Sequence, residues 1–157
     1  MAKFSITKKD DINYLNGTIN EDANLDKLLD NPDPVKISFK YVDAINSVGV
    51  GKWLRFMEKM FSKKIEFHEC TPEIISTANM IPNFLRLDDK HKTIISFAIP
   101  YFCNSCDDSK HMFCNTFEIL VENEERVPPA KKCPSCGNNL EDDTDDMYFG
   151  FYDDIKE

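Results

Sequence analysis

The residues best suited to do chemistry in this chain are four cysteines arranged as two pairs. Cys103 and Cys106 form one pair, Cys133 and Cys136 form the other, and two residues separate the cysteines within each pair. A short turn of this kind brings both thiolates to one side of a loop, and two facing turns supply the four tetrahedral ligands that zinc prefers. Gly137 fits a turn that needs positive φ. The spacing therefore predicts a zinc site with four thiolate ligands.

Four thiolates fill the coordination sphere of zinc, so the sequence predicts one structural ion per chain and no catalytic metal. Disulfides or a redox-active pair are the alternative, which the lack of a signal peptide disfavours. His111 or Cys114 could replace one ligand, while Cys70 ends a strand-like run and is interpreted as a buried free thiol. The 26 residues between the pairs exceed the common spacing and predict a hairpin inside the loop.

Length and hydropathy predict one domain or two small ones. The chain has 157 residues, of which 41% are hydrophobic, and that is enough for an independent core. Its apolar runs are shorter than the roughly 18 residues that a membrane helix needs. The first residues do not resemble a signal peptide. We therefore expect a soluble cytoplasmic protein with no membrane partner.

Negative charge is concentrated in the C-terminal part of the chain. Residues 1–87 carry 12 basic and 12 acidic side chains, whereas residues 88–157 carry 7 basic and 16 acidic ones, which accounts for the net charge of −9. Proteins that neutralise phosphates do so with Lys and Arg. The charge therefore argues against nucleic acid as a partner, although zinc ribbons as a class often bind it. The run at 141–146 is interpreted as a solvated loop or, alternatively, as a contact for a basic protein.

Hydrophobic periodicity predicts an α/β fold, in which an open mixed sheet with packed helices is followed by a small β zinc-ribbon module. We expect strands over 4–8, 12–19, 35–39, 64–69, 93–102 and 147–152, and a strand or hairpin over 112–122. We expect helices over 24–30, 48–62 and 72–85, the first capped by Asn24 and the last by Thr71. The predicted division is 1–92 and 93–157, with the strand over 93–102 shared between the two parts.

The predicted helix over 48–62 has one apolar stripe and one charged face. Trp53, Met57 and Phe61 fall within the stripe, whereas Phe56 falls between the two faces. Two interpretations of Phe56 remain open. It packs on a neighbouring loop, or it is an exposed aromatic that contacts a partner.

Two local motifs in the N-terminal part resemble the STAS domain, the fold of anti-sigma factor antagonists and of sulfate-transporter tails. Leu-Asn-Gly-Thr-Ile at 15–19 is similar to the family's Leu-x-Gly-x-Ile/Leu strand end. Ile-Asn-Ser-Val-Gly-Val at 45–50 is similar to its Ile-Asp-Ser-Ser-Gly-Leu helix start. With the order of predicted elements, the resemblance covers roughly 3–99, and Trp53 and 79–81 suggest a bacterial subgroup joined to a zinc ribbon.

The resemblance implies a regulatory switch that this sequence keeps only in part. In signalling members a partner kinase phosphorylates the hydroxyl residue before the glycine, and that position is Val48 here. Asn46 replaces the family's Asp, so Ser47 alone keeps a hydroxyl. Ser47 is interpreted either as the helix cap or as a phosphorylation site. We therefore predict that the usual phospho-switch is missing.

Together these features predict a non-catalytic module for regulatory protein–protein interaction. Asn46, Ser47, Val48, Gly49 and Phe56 are the candidate partner-binding residues, and the partner would be a kinase or an anti-sigma-like protein. The sequence has no nucleophilic triad, phosphate-binding glycine loop or metalloprotease motif, so we do not expect an enzyme. The alternative is a zinc-ribbon protein that binds nucleic acid or the transcription machinery.

Overall fold

A five-stranded mixed sheet forms the N-terminal part of the computed structural model, which describes residues 3–155. Its strands lie in chain order: β1 (Ser5–Lys9), β2 (Ile12–Ile19), β3 (Val35–Ile45), β4 (Ile65–His68) and β5 (Lys92–Ile94). β1 is antiparallel to β2, through a tight turn with positive φ at Asp10 and Asp11, and the other neighbours are parallel. The predicted mixed α/β sheet is confirmed.

Two helices join the parallel strands, and both are shorter than the sequence predicts. α1 (Ser47–Lys59) connects β3 to β4, and α2 (Pro72–Met80) connects β4 to β5. Thr71 caps α2 as predicted, because its side chain accepts a hydrogen bond from the Ile74 amide. α2 ends before Pro82, which cannot donate a helical hydrogen bond and disfavours helical backbone in the residue before it.

The predicted helix over 24–30 is wrong, because only Asp26–Leu28 forms a single 3₁₀ turn there. Asn24 does not cap an α-helix. Its side chain accepts a hydrogen bond from the Asp26 amide, two residues on, in a local turn. Three residues then follow before Pro32, which leaves little chain in which to propagate a helix.

α1 packs its apolar stripe onto the sheet, and Phe56 belongs to the buried set. Trp53 is fully buried and its indole N–H donates a hydrogen bond to the Phe84 carbonyl at 2.6 Å. Phe56 is 2% exposed, with its ring centroid 5.3 Å from that of Trp53. The interpretation of Phe56 as an exposed partner-binding aromatic is therefore wrong. Phe61 lies beyond the end of α1 and is 71% exposed, although periodicity places it in the stripe.

A second sheet forms the C-terminal part and contains three antiparallel strands. β6 (Ser96–Cys103) lies between β7 (Asp108–Asn115) and β10 (Glu141–Asp142). A separate hairpin consists of β8 (Leu120–Glu122) and β9 (Glu125–Val127). The expectation of a hairpin between the cysteine pairs is met by β8–β9, whereas the β6–β7 hairpin carries the first cysteine pair at its turn.

The predicted strand over 93–102 belongs to both sheets, with a break at Ile95 between β5 and β6. The amide of Cys70, just beyond β4, donates to the Ser96 carbonyl, and the amide of Ala98 donates to the Cys70 carbonyl. These bonds hold the first half of β6 against the end of the first sheet. Buried side chains of both parts form one continuous hydrophobic cluster.

The predicted strand over 147–152 is wrong, because this segment forms a turn followed by a 3₁₀ helix, Gly150–Asp154. The sequence predicts that the backbone of this segment pairs with a strand, but instead its aromatic side chains pack into the core. Phe151 is fully buried, with its ring centroid 5.2 Å from that of Phe97 in β6. Asn79 of α2 donates hydrogen bonds to the carbonyls of Met147 and Tyr148, which fixes the segment against the helix.

Candidate metal centre

The four paired cysteines meet in one cluster at the end of the second sheet. The Sγ atoms of Cys103, Cys106, Cys133 and Cys136 all lie within 4.8 Å of one another. The Cys103–Cys136 distance is 3.5 Å and the Cys106–Cys133 distance is 3.9 Å. A tetrahedral site with zinc–sulfur bonds of about 2.3 Å would place the sulfurs about 3.8 Å apart. The cluster therefore has the dimensions of a site that can hold one metal ion.

Two turns of similar backbone shape present these sulfurs. The residue after the second cysteine has positive φ in both turns, 53° at Asp107 and 78° at Gly137. The amide of Cys106 donates to the Cys103 Sγ at 3.4 Å, and the amide of Gly137 donates to the Cys133 carbonyl at 2.8 Å. Each turn therefore folds back within four residues and aims both of its thiols at the facing turn.

Polar side chains join the two turns outside the sulfur cluster. Asn138 Nδ2 donates to Ser105 Oγ at 2.7 Å, and Lys110 Nζ donates to Ser135 Oγ at 3.2 Å. Lys110 also pairs with Asp108 at 3.3 Å. These contacts lie around the sulfur cluster and add to the approach of the two turns.

The thiols perturb one another strongly. Hydrogen bonds with Cys136 and Cys103 raise the pKa of Cys106 to about 12. Burial opposes ionisation of Cys133, but the backbone amides of Cys136 and Ser135 outweigh it and lower the pKa of Cys133 to about 6. The cluster thus favours a thiolate at Cys133 and disfavours one at Cys106. A bound divalent cation supplies the positive charge that lets all four ionise together.

The other cysteines and the nearby histidine lie outside the cluster. Cys114 and Cys70 are buried, and burial raises the pKa of Cys114 to about 12. His111 is exposed on β7 and does not join the four sulfurs. Within residues 3–155, no cysteine forms a disulfide. The interpretation of Cys70 as a buried free thiol is confirmed.

The loop that begins α1 contains the other predicted site residues. The cap is Asn46 and not Ser47, since Asn46 Oδ1 accepts a hydrogen bond from the Gly49 amide at 2.8 Å. A Cβ atom at Gly49 would lie 1.9 Å from the Ile19 carbonyl oxygen, so only glycine allows this approach of the loop to β2. Val48 is 51% exposed and faces away from the core. The structure therefore brings Asn46, Ser47, Val48 and Gly49 together on one rigid turn, without Phe56.

Sequence reasoning missed a buried lysine that binds backbone carbonyls just after the C-terminal end of α1. The side chain of Lys92 is 0% exposed, and its ammonium donates to the carbonyls of Met60, Phe61 and Lys63 and pairs with Asp89 at 3.0 Å. A lysine in a short strand gives no sequence signal for such a role, because lysine is rarely buried.

The chain matches no protein-family model, no curated protein and no solved structure. The resemblance to STAS domains therefore stays a prediction. Across residues 3–155, no helix combines the length and apolar character needed to cross a membrane.

Proposed function

We propose that this chain is a non-catalytic regulatory module that binds a protein partner through the turn at 46–50, and that its cysteine cluster holds one structural zinc ion. The observation that carries the proposal is the rigid presentation of Val48. Val48 is 51% exposed, and its turn is held by the Asn46 cap and by the close contact of Gly49 with β2. Its aliphatic side chain is therefore a preformed apolar contact point.

The assignment of zinc rests on the donor set. Four cysteine sulfurs and no oxygen or nitrogen donor make up the cluster, and soft thiolates in a tetrahedron favour zinc over the hard cations magnesium and calcium. With all four positions taken by protein, the ion has no site for substrate. Its role would be to hold the two cysteine turns together.

The assignment of a regulatory partner rests on the turn and on the family resemblance. The order of strands and helices before β6 is compatible with the STAS-like arrangement expected from the sequence, and the turn at 46–50 is where that family meets its partners. Ser47 is exposed at the first position of α1, so a kinase could reach it. Val48 lacks the hydroxyl that the family's switch uses, so partner binding here would not depend on phosphorylation at that position.

Site-specific crosslinking tests the partner proposal. A photo-crosslinking amino acid in place of Val48, introduced in cells of the source organism, should capture a partner that the same amino acid at Tyr41 does not capture. Tyr41 is a matched control because it is 54% exposed on β3. Binding of the purified partner should then weaken by about tenfold for Val48→Asp, as expected for an apolar contact at an interface centre.

A second control separates partner binding from folding. Phe61→Asp changes another exposed apolar side chain near the other end of α1, and it should leave the affinity unchanged. Equal affinity of the wild type and Val48→Asp for the captured partner would contradict the proposal. Ser47→Asp measures whether a charge at the one remaining hydroxyl alters the same affinity.

A further inference from the structure

A second candidate surface lies where the two parts of the chain meet, and it includes no residue of the turn at 46–50. An apolar cleft of about 610 Å³ opens between the edge of β5, the segment after β7 and the end of the last 3₁₀ helix. Lys90 and Lys92 lie on its β5 side, and the ammonium of Lys92 is turned to Asp89 and to backbone carbonyls. The rest of the lining is mainly apolar and includes Leu87, Ile94, Ile95, Ile119, Tyr152 and Ile155. Phe117 lies at this cleft and is 80% exposed, and the adjoining Leu120 and Val121 are each 60% exposed. Exposed apolar side chains beside an apolar cleft mark interaction sites.

The β8–β9 hairpin that follows Phe117 carries three glutamates and one arginine. Glu122 and Glu125 lie directly opposite each other in the antiparallel register, and Glu124 occupies the turn between them. Like charges at facing positions destabilise a strand pair. Among the described residues, none of these glutamates forms an ion pair. The one cation of the hairpin, Arg126, lies over the Tyr152 ring at 4.1 Å.

Acidic side chains continue from the hairpin onto the far side of the last 3₁₀ helix. They line a pocket of about 480 Å³: Glu124, Glu125, Asp142, Asp145, Asp146 and Asp153. Tyr152 lines the apolar cleft and Asp153 lines the acidic pocket. Arg126 also lines the pocket and lies over the Tyr152 ring, so the cleft and the pocket meet at this pair of side chains.

We propose that this surface binds a basic amphipathic segment of a protein partner. An apolar stripe of the segment would fill the cleft beside Phe117, and its Lys or Arg side chains would meet the glutamates of the hairpin and the aspartates of the pocket. Binding would relieve the repulsion between Glu122 and Glu125. The same charge repels nucleic acid and anionic lipid, so the ligand is a protein segment. This inference does not depend on the turn at 46–50.

The test uses a defined peptide and the full chain. The probe is a fluorescent 15-residue peptide with leucines on one helical face and lysines on the other, and its matched control has glutamate in place of every lysine. Fluorescence anisotropy at physiological salt should show binding of the lysine peptide only. Its affinity should fall as salt is raised, because exposed charges are screened beyond about 8 Å at 0.15 M salt.

Surface variants locate the binding. Phe117→Ser and the double change Glu122→Lys with Glu125→Lys should each weaken the lysine peptide by about tenfold or more, as for a central interface contact. Phe61→Ser and Glu58→Lys are matched controls on exposed residues of the N-terminal part and should change nothing. Circular dichroism confirms that each variant is folded.

Three results would overturn the inference. The first is equal binding of the lysine and glutamate peptides, and the second is unchanged binding of the lysine peptide by the Phe117 and glutamate variants. The third is binding of anionic vesicles or single-stranded RNA at this surface, lost in Phe117→Ser, which would assign it to a different class of ligand.

Discussion

Replacement of one cysteine by serine tests the metal centre directly. Cys136 is the best choice, because it is exposed and its Sγ lies 3.5 Å from that of Cys103, so an oxygen fits there without a buried cavity. A structural zinc site contributes about 10–16 kcal/mol of binding free energy. Shared over four ligands, the loss of one thiolate costs about 3 kcal/mol. That is roughly a 100-fold loss of zinc affinity.

Native mass spectrometry and chelator competition measure this loss. The wild type should carry one zinc ion per chain, and Cys136→Ser should release it at a chelator concentration roughly 100-fold lower. Cys114→Ala is the matched control, because Cys114 is buried outside the cluster and should leave zinc retention unchanged. Equal retention by Cys136→Ser and the wild type would refute the four-thiolate site, as would the absence of zinc from the wild type.

The contacts of β6 predict which part of the second sheet loses its structure when the metal is removed. The first half of β6 is hydrogen-bonded to Cys70, and Phe97 is fully buried within the aromatic side chains of the last 3₁₀ helix. Hydrogen exchange after chelation should therefore rise at 103–108 and 131–139 and stay slow at 96–99. Loss of protection throughout β6 would show that the metal supports the whole second sheet and would refute this boundary.

Three further predictions concern stability. Lys92→Met should lower the free energy of unfolding by about 3 kcal/mol, because it leaves three carbonyls and Asp89 without their buried donor. The control Lys90→Met, at an exposed residue, should change the free energy of unfolding by less than about 0.5 kcal/mol. Urea denaturation followed by Trp53 fluorescence measures both changes. Gly49→Ala should destabilise by about 2 kcal/mol or more in the same assay, since its Cβ would meet the Ile19 carbonyl, and an unchanged midpoint would contradict that contact. Burial raises the pKa of three tyrosines in the C-terminal part, so their contribution to stability is complete below the pKa of an unfolded tyrosine, about 10, and falls as pH rises above it. These tyrosines are Tyr101, Tyr148 and Tyr152. In the double variant Tyr14→Phe, Tyr41→Phe only these three of the five tyrosines remain. Its tyrosinate absorbance should increase in one cooperative step with unfolding, and a gradual increase in the folded variant would contradict this prediction.

The metal cluster could be predicted from the sequence because its ligands come from two short turns whose shape depends on local residue spacing. Two residues between cysteines fix the turn, and Gly137 marks the positive φ that follows the second pair. The same position after the first pair is Asp107, which adopts positive φ without a glycine to signal it. The four sulfurs therefore follow from spacing, whereas the contacts that join the turns, such as Asn138 to Ser105, depend on the fold.

Predictions failed where packing outweighs local periodicity. The alternation of aromatic residues at 147–152 favours a strand, but the rings pack against Phe97 and the segment ends in a 3₁₀ helix. For Phe56 the interpretation that it packs on a neighbouring loop fits the structure, because it is 2% exposed and lies beside Trp53 and the loop after β2. Ser47 keeps the hydroxyl of the family motif, whereas Asn46 departs from it. Asn46 is nevertheless the residue immediately before the helix and therefore makes the cap.

Strand β6 separates the turn at 46–50 from the metal cluster. The strand begins beside Cys70 at the end of the first sheet and ends at Cys103 in the metal cluster. Seven residue steps at about 3.3 Å per residue place its ends about 23 Å apart. Because the first half of β6 is fixed by the first sheet, loss of the metal should release the cysteine turns without moving the turn at 46–50. A partner that binds at Val48 should therefore bind equally to the zinc-loaded protein and to Cys136→Ser, whereas a partner held by the cysteine turns should distinguish them.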